Sequence, residues 1–207
     1  TEFIDKITPN PFERVSKELV KVLKEEKISG VLLSGDLTSR GDLAGYDSCV
    51  DHFISLFNSV QDQSIEIHVV PGNHDLDRDE ALTGDPEKKF DKFVNIWQKH
   101  DDNFLFPNEV RKSTIEVNNC KVRLYSLNTC VGCGETRRFP NKIQDELEKI
   151  IKDTDLTKKD NFNDFYEQHD TPTADQKNIT KIEHSIIAGR EKFEITNVLA
   201  HHGIIPQ

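Results

Sequence analysis

The sequence predicts an α/β fold in which helices alternate with short apolar strands. Residues 28–34, 65–71 and 195–200 read ISGVLLS, IEIHVVP and ITNVLA, and each run is rich in β-branched and aliphatic side chains. Strands of this composition are typical of parallel or mixed sheets that are covered on both faces. The segments between them carry apolar residues at helical spacing. We therefore expect a layered α/β domain.

The first half of the chain is predicted to run helix, strand, helix. Asn10 followed by Pro11 is typical of a helix start, because a cap residue precedes a proline at the first helical position. The apolar spacing continues this helix to Lys27, and the strand 28–33 follows. A second amphipathic helix is predicted over 43–60.

The middle of the chain is predicted to add a strand, a helix and a hairpin. The strand covers 65–70, and a third helix is marked by apolar residues between 90 and 97. Strands over 113–117 and 121–127 flank an Asn-Asn pair, which is a hairpin turn signal.

The last third is predicted to hold an insertion, a helix and a strand. From 141 to 170 the chain is charged, partly helical and poor in pattern, so we expect a surface insertion or lid at about 135–173. A helix over 174–190 then leads to the strand 195–200. We interpret residues 1–207 as one domain.

Polar side chains follow three of the predicted strands. Asp36, Asn73 and His201 come directly after strand ends, where α/β sheets build their sites. Two oxygen donors and an imidazole suit Mn, Fe, Zn or a related divalent ion. The sequence therefore predicts that these three side chains share a metal ion. Neighbours on an extended backbone point to opposite sides, so only one of His201 and His202 is expected to join the site.

The order of these segments resembles the calcineurin-like metallophosphoesterases. Residues 35–38 (Gly-Asp-Leu-Thr) come first, residues 72–75 (Gly-Asn-His-Asp) second, and the pair His201-His202 follows a late strand. The second segment is the most specific, and Leu-Thr in the first is closest in style to the cyclic-nucleotide and small-molecule phosphodiesterase branch. The resemblance implies a four-layer α/β/β/α sandwich.

The resemblance also implies a reaction and a cofactor. Two divalent cations would be held, with Asp36 bridging both and with Asn73 and His201 as further ligands; a carboxylate can bridge cations about 3.5–4 Å apart. Phosphomonoester or phosphodiester bonds would be hydrolysed by a cation-activated hydroxide. The alternatives from local structure alone are a helix-capping role for Asp36 and a turn role for Asn73.

Three further residues are candidates for catalysis. The resemblance implies that His74 faces the substrate phosphate, as a general acid or as a positive charge. We expect Asp75 to hold the His74 imidazole in one tautomer. Arg40 stands at an offset where related protein phosphatases contact phosphate, and a guanidinium can bind two phosphate oxygens. A surface turn for His74 and a solvated loop for Arg40 are the alternatives.

Two family motifs do not occur in this sequence. The family opens with Asp-x-His and closes with Gly-His-x-His, whereas the nearest acid before Asp36 is Asp5, followed by Lys6 and Ile7. We therefore expect residues 1–207 to be an incomplete domain. The alternatives to a phosphoesterase of small phosphodiesters or nucleotides are a nuclease of the same superfamily and a non-catalytic binding module that keeps the fold.

The composition argues against some classes of binding partner. The net charge of −10 does not indicate binding to nucleic acid or to an anionic membrane, and no apolar run is long enough to span a bilayer. Residues 1–10 lack the pattern of a signal peptide. The cysteines, which include the pair Cys130 and Cys133, are expected to be reduced, so a cytoplasmic location is predicted.

Overall fold

The fold is seen in a computed structural model of the chain. The residues it describes are 11–26, 28, 30–38, 45–60, 66–82, 85, 87–101, 104, 109–117, 120–135, 140–153, 170, 172–189 and 194–201. Within them, helices and two β-sheets form a mixed α/β structure. The α/β class that the sequence predicts is therefore confirmed, and the order of the four layers stays a prediction.

The first sheet pairs two short parallel strands. Strand β1 covers Gly30–Leu33 and β2 covers Glu66–Val69, and Leu33 stands opposite Val69. The pairing is parallel because a helix crosses over between the two strands. Both carboxyl ends therefore lie at the same edge of the sheet.

The second sheet has mixed direction. Strand β3 (Arg111–Val117) pairs antiparallel with β4 (Cys120–Ser126), which confirms the predicted hairpin pairing. Strand β5 (Glu194–Leu199) pairs parallel with β4. The strand that carries His201 is thus in a different sheet from the strands that carry Asp36 and Asn73.

The described residues form the helices α1 Pro11–Glu25, α2 Tyr46–Asn58, α3 Arg78–Leu82, α4 Asp91–Gln98, α5 Asn141–Asp153 and α6 Gln176–Ala188. The bounds of α1, α2, α4 and α6 are close to those predicted. Asp175 caps α6 by accepting a hydrogen bond from the Lys177 N–H at 2.7 Å. The short α3 carries no apolar period of its own and was not predicted.

Two strands are less covered than their composition predicts. Leu32 in β1 is 48% exposed, and Ile195 and Val198 in β5 are 52% and 41% exposed. The prediction that both sheet faces are covered is wrong at these positions. In the described part of the chain, β1 and β5 are each an outer strand of their sheet.

The main core is built around aromatic rings from α2 and α4. Phe93 is fully buried and packs against Tyr46, Trp97 and Phe104, with ring centroids 5.8–6.4 Å apart. The Trp97 indole N–H donates to the Tyr46 hydroxyl at 2.9 Å, so this polar pair is satisfied inside the core. Leu33 at the end of β1 packs against the same cluster. The core therefore supports the strand end from which Asp36 emerges.

In the part of the chain that the structure describes, no helix is both long and apolar enough to cross a membrane.

Phe93→Ala should lower the free energy of unfolding by about 3–5 kcal/mol, because a large ring is removed from a core that cannot fully collapse. Urea unfolding measures the difference. Ile187→Ala is the matched control, since Ile187 is 71% exposed and surface truncations usually change stability by about 0.5 kcal/mol or less. Equal losses in both variants would contradict the core assignment.

Candidate metal centre

The loops after β1 and β2 are joined by the carboxylate of Asp75, which is fully buried. One of its oxygens accepts hydrogen bonds from the N–H groups of Asp36 at 2.7 Å and Gly72 at 2.9 Å. The other oxygen accepts from the N–H of Leu37 at 3.0 Å. A single side chain therefore satisfies backbone donors from both loops and holds them together.

This arrangement corrects the role expected for Asp75. Both of its oxygens bind backbone N–H groups, so the carboxylate orients the two loops instead of the His74 imidazole. Burial raises the pKa of Asp75 to about 6, while the N–H donors of Gly72 and Asp36 act to lower it. The group is thus mostly ionised at neutral pH, as its N–H donors require.

The two loops approach so closely that glycine is needed in each. A Cβ on Gly35 would overlap the backbone of Gly72, and a Cβ on Gly72 would overlap the Asp36 carboxylate. Gly35 has φ of 92°, and Asp36 itself has φ of 57°, in the left-handed region that non-glycine residues seldom adopt. Such conformations concentrate at functional sites, where the surrounding contacts enforce them.

Further hydrogen bonds cross between the loops. The Asp36 Oδ1 accepts from the His74 N–H at 3.0 Å, and the Thr38 hydroxyl donates to the His74 carbonyl at 2.5 Å. Asp36 and His74 are therefore fixed relative to each other by contacts on either side. The second oxygen of Asp36 is turned toward the third loop, which follows β5.

His201 reaches this point from the second sheet. Its Nδ1 lies 2.6 Å from the Ser34 carbonyl oxygen. A carbonyl can only accept, so Nδ1 carries a proton and donates it. In the neutral imidazole, Nε2 is then the nitrogen with a lone pair. That Nε2 lies 3.2 Å from the Asp36 Oδ2 and 3.1 Å from the Asn73 Oδ1.

The Asn73 side chain is held at its amide nitrogen. Its Nδ2 donates to the Asp170 carboxylate at 3.0 Å, so its Oδ1 faces His201. The structure thus brings together the three residues that the sequence singled out as ligands. The Asp36 carboxylate and the Asn73 amide oxygen both lie next to the His201 Nε2.

This donor set fits a divalent cation. Two atoms that bind one cation at about 2.0–2.3 Å and at a right angle lie roughly 3 Å apart, close to the 3.1 and 3.2 Å observed. The imidazole also donates its other N–H to a backbone carbonyl, as metal-binding histidines usually do. Among the described residues, no group of three or more His, Cys, Asp or Glu side chains could hold a metal ion, so this candidate depends on the Asn73 amide.

His74 differs from the ligand candidates. Its Nδ1 is buried, and within the described residues no hydrogen-bond partner for that atom is found. A buried polar atom without a partner is unfavourable and often marks a site that takes a ligand. This nitrogen therefore has hydrogen-bonding capacity that the described residues do not use.

Two candidates cannot be placed, and three residues that contact the site were not among the candidates. Arg40 and His202 fall outside the described residues. Ser34, Arg78 and Asp170 contact the site but were not predicted, although Gly35-Asp36 drew attention to the strand end where Ser34 lies. Asp170 is 97 residues from Asn73, so no local spacing could have joined the two.

Comparison with known proteins gives one match. The sequence matches the family model described as calcineurin-like phosphoesterase over residues 10–205. No curated protein and no solved structure matches the chain. The matched region includes both loops, residues 135–173 and the strand before His201.

Gly72→Ala should lower the free energy of unfolding by about 1–3 kcal/mol, because the new methyl group must displace the Asp36 carboxylate. Gly45→Ala is the matched control, since no atom lies within 4 Å of a Cβ built there. Thermal and urea unfolding of both variants measure the difference. A Gly72 variant as stable as the Gly45 variant would show that the loops do not approach as described.

Proposed function

The chain belongs to the calcineurin-like phosphoesterases, and from this membership and the donor cluster we propose that it hydrolyses phosphate esters with the help of divalent cations. The family as a whole supports metal-dependent hydrolysis of phosphoric esters. The ligands we propose are Asp36, Asn73 and His201.

One observation carries the proposal. The His201 Nε2 lies 3.1 Å from the Asn73 Oδ1 and 3.2 Å from the Asp36 Oδ2, while its Nδ1 donates to the Ser34 carbonyl. A positive charge at Nε2, carried by a second ring proton or by a bound cation, stabilises this close approach. We propose the cation, because the three atoms belong to the ligand types that Mn, Fe and Zn accept.

We propose two cations, with Asp36 shared between them as the resemblance implies. When bound, such cations lower the pKa of a water molecule and neutralise the charge on phosphate oxygens. The protein's own part is to hold the three ligands in place. The Asp75 contacts hold the loops of Asp36 and Asn73 without a cation, and the Ser34 carbonyl holds His201.

His74 is proposed to act on the substrate directly. Its backbone is fixed by Asp36 and Thr38, while its Nδ1 lacks a partner among the described residues. A positioned imidazole can give a proton to the leaving oxygen or stabilise negative charge on the phosphate. Asp75 assists by positioning the loop, and Arg40 remains a proposed phosphate contact.

The proposed substrates are phosphomonoesters or small phosphodiesters, nucleotides among them. A nuclease would track a long polyanion and needs a basic surface, which the net charge of −10 does not favour. A binding module without activity would be expected to lose ligands. Asp36, Asn73, His74 and His201 all remain, and three of them converge.

The test compares p-nitrophenyl phosphate, bis-p-nitrophenyl phosphate and single-stranded DNA as substrates, with added Mn²⁺ and with a chelator. We expect Mn²⁺-dependent hydrolysis of one or both nitrophenyl esters, and its loss with the chelator. Cleavage of DNA alone would favour the nuclease. Failure of the wild-type protein to bind Mn²⁺ would favour the binding module.

Asp36→Ala should abolish both turnover and most Mn²⁺ binding, because the shared ligand is removed. His74→Ala should keep Mn²⁺ but lose on the order of 10²-fold in kcat, as expected for a positioned acid. His184→Ala is the control, since His184 lies exposed on α6. Mn²⁺ binding is followed by electron paramagnetic resonance. If His74→Ala released the metal while His201→Ala retained it, the two histidines would have the opposite roles.

A further inference from the structure

We propose that Asp170 and Arg78 are positioning residues that fix the orientation of the Asn73 side chain. The inference rests on the proposed function in one respect, that Asn73 is a metal ligand. It adds two residues to the proposed site, one of them from the segment predicted to be an insertion or lid.

The Asp170 carboxylate is the centre of this network. It accepts hydrogen bonds from the Asn73 Nδ2 at 3.0 Å and from the Gly134 N–H at 3.0 Å. Arg78 donates to both of its oxygens, at 2.7 and 2.8 Å. This two-point geometry is the strongest form of an arginine–carboxylate pair.

The chemistry of Asp170 decides which end of the amide faces the ligands. An ionised carboxylate can only accept hydrogen bonds, so only the NH₂ end of Asn73 can point at it. The carbonyl end must then face His201, where its Oδ1 lies 3.1 Å from Nε2. Without this constraint the amide could turn and place a donor, which binds no cation, among the ligands.

Arg78 supports the arrangement in two ways. Its NH2 donates to the Asn73 carbonyl at 3.0 Å, so the backbone of the ligand is held as well as its side chain. It also balances the charge of Asp170, whose side chain is 9% exposed while that of Arg78 is 6% exposed. A buried carboxylate without such a partner would be strongly unfavourable.

The end of the 135–173 segment is tied to the site through this network. Thr173 forms a β-bridge with Cys130, and the Val131 N–H donates to the Thr173 carbonyl at 3.2 Å. Asp170 lies three residues earlier and binds the Gly134 N–H of the same turn. The end of this segment therefore positions one of the proposed ligands.

The test is the Mn²⁺ affinity of Asp170→Asn. Asparagine has nearly the same shape but presents a donor as well as an acceptor, so the constraint on Asn73 is lost. Residues that orient metal ligands typically change metal affinity by about 10–100-fold when mutated. We expect a loss of that size, measured by electron paramagnetic resonance on metal-free protein titrated with Mn²⁺. An affinity within about threefold of wild type would overturn the proposal.

A second readout does not involve metal. In ¹⁵N-labelled, metal-free protein, the side-chain NH₂ of Asn73 should exchange slowly with water in the wild type and rapidly in Asp170→Asn. Asn73→Asp identifies the resonance by removing it. If the wild type binds no Mn²⁺ but the exchange changes as expected, the proposed function fails and the positioning stands. Unchanged exchange would overturn the positioning.

The control separates positioning from stability. Tyr125→Phe removes the hydrogen bond at 2.7 Å between the Tyr125 hydroxyl and the Ser185 hydroxyl, at a residue that is 2% exposed and outside this network. We expect it to lower thermal stability while leaving the Mn²⁺ affinity within about threefold of wild type. Comparable losses of affinity in both variants would show a general structural effect and overturn the proposal.

Arg78→Lys covers the case in which Asp170→Asn does not fold. Lysine keeps the positive charge next to Asp170 but cannot bind both carboxylate oxygens and the Asn73 carbonyl together. We expect a smaller loss of Mn²⁺ affinity, with faster exchange of the Asn73 NH₂. Wild-type values for both measurements would contradict the role of Arg78.

Discussion

The site depends on one interaction, in which the buried carboxylate of Asp75 accepts hydrogen bonds from three backbone N–H groups. Hydrogen bonds to a charged group contribute about 1.5–3 kcal/mol each, and an unsatisfied buried carboxylate is costly. Loss of either the carboxylate or the N–H groups would therefore leave buried polar groups without hydrogen-bond partners. Because the donors come from Asp36, Leu37 and Gly72, the ends of β1 and β2 cannot separate without breaking this set. The glycines and the left-handed backbone of Asp36 follow from the close approach that it enforces.

A second constraint brings the two sheets to the same point. Val70 after β2 packs with Leu124 of β4 and Leu199 of β5, so the first sheet contacts the second through apolar side chains. The same contact places His201, two residues beyond Leu199, beside the Ser34 carbonyl. Apolar packing sets the approach of the strands, and one hydrogen bond sets the ring. Neither alone would leave the His201 Nε2 facing Asp36 and Asn73.

The sequence predicts the strands well and singles out three polar residues that the fold brings together, because both signals are local. Asp36 and Asn73 follow apolar runs directly, and the strand bounds differ from the prediction by only one or two residues at most ends. The partners of those ligands were not foreseen, since Asp170 lies far away in a segment without pattern. For Asp75, the sequence predicts a contact with the His74 imidazole, whereas both of its oxygens accept hydrogen bonds from backbone N–H groups. A sequence shows that a carboxylate is next to a histidine, whereas only the fold shows which donors surround it.

Hydrogen bonds hold the proposed ligands in place without a cation. Each proposed ligand is held by a group other than the cation: Asp36 by the His74 N–H, Asn73 by Asp170, and His201 by Ser34. A site held in this way loses little conformational freedom when a cation binds, so more of the interaction energy appears as affinity. The arrangement has an electrostatic consequence as well. The charge of Asp36 helps to raise the pKa of Asp75, because two nearby carboxylates repel each other. A cation beside Asp36 would offset that repulsion, so the contacts that join the loops and the binding of metal should reinforce each other.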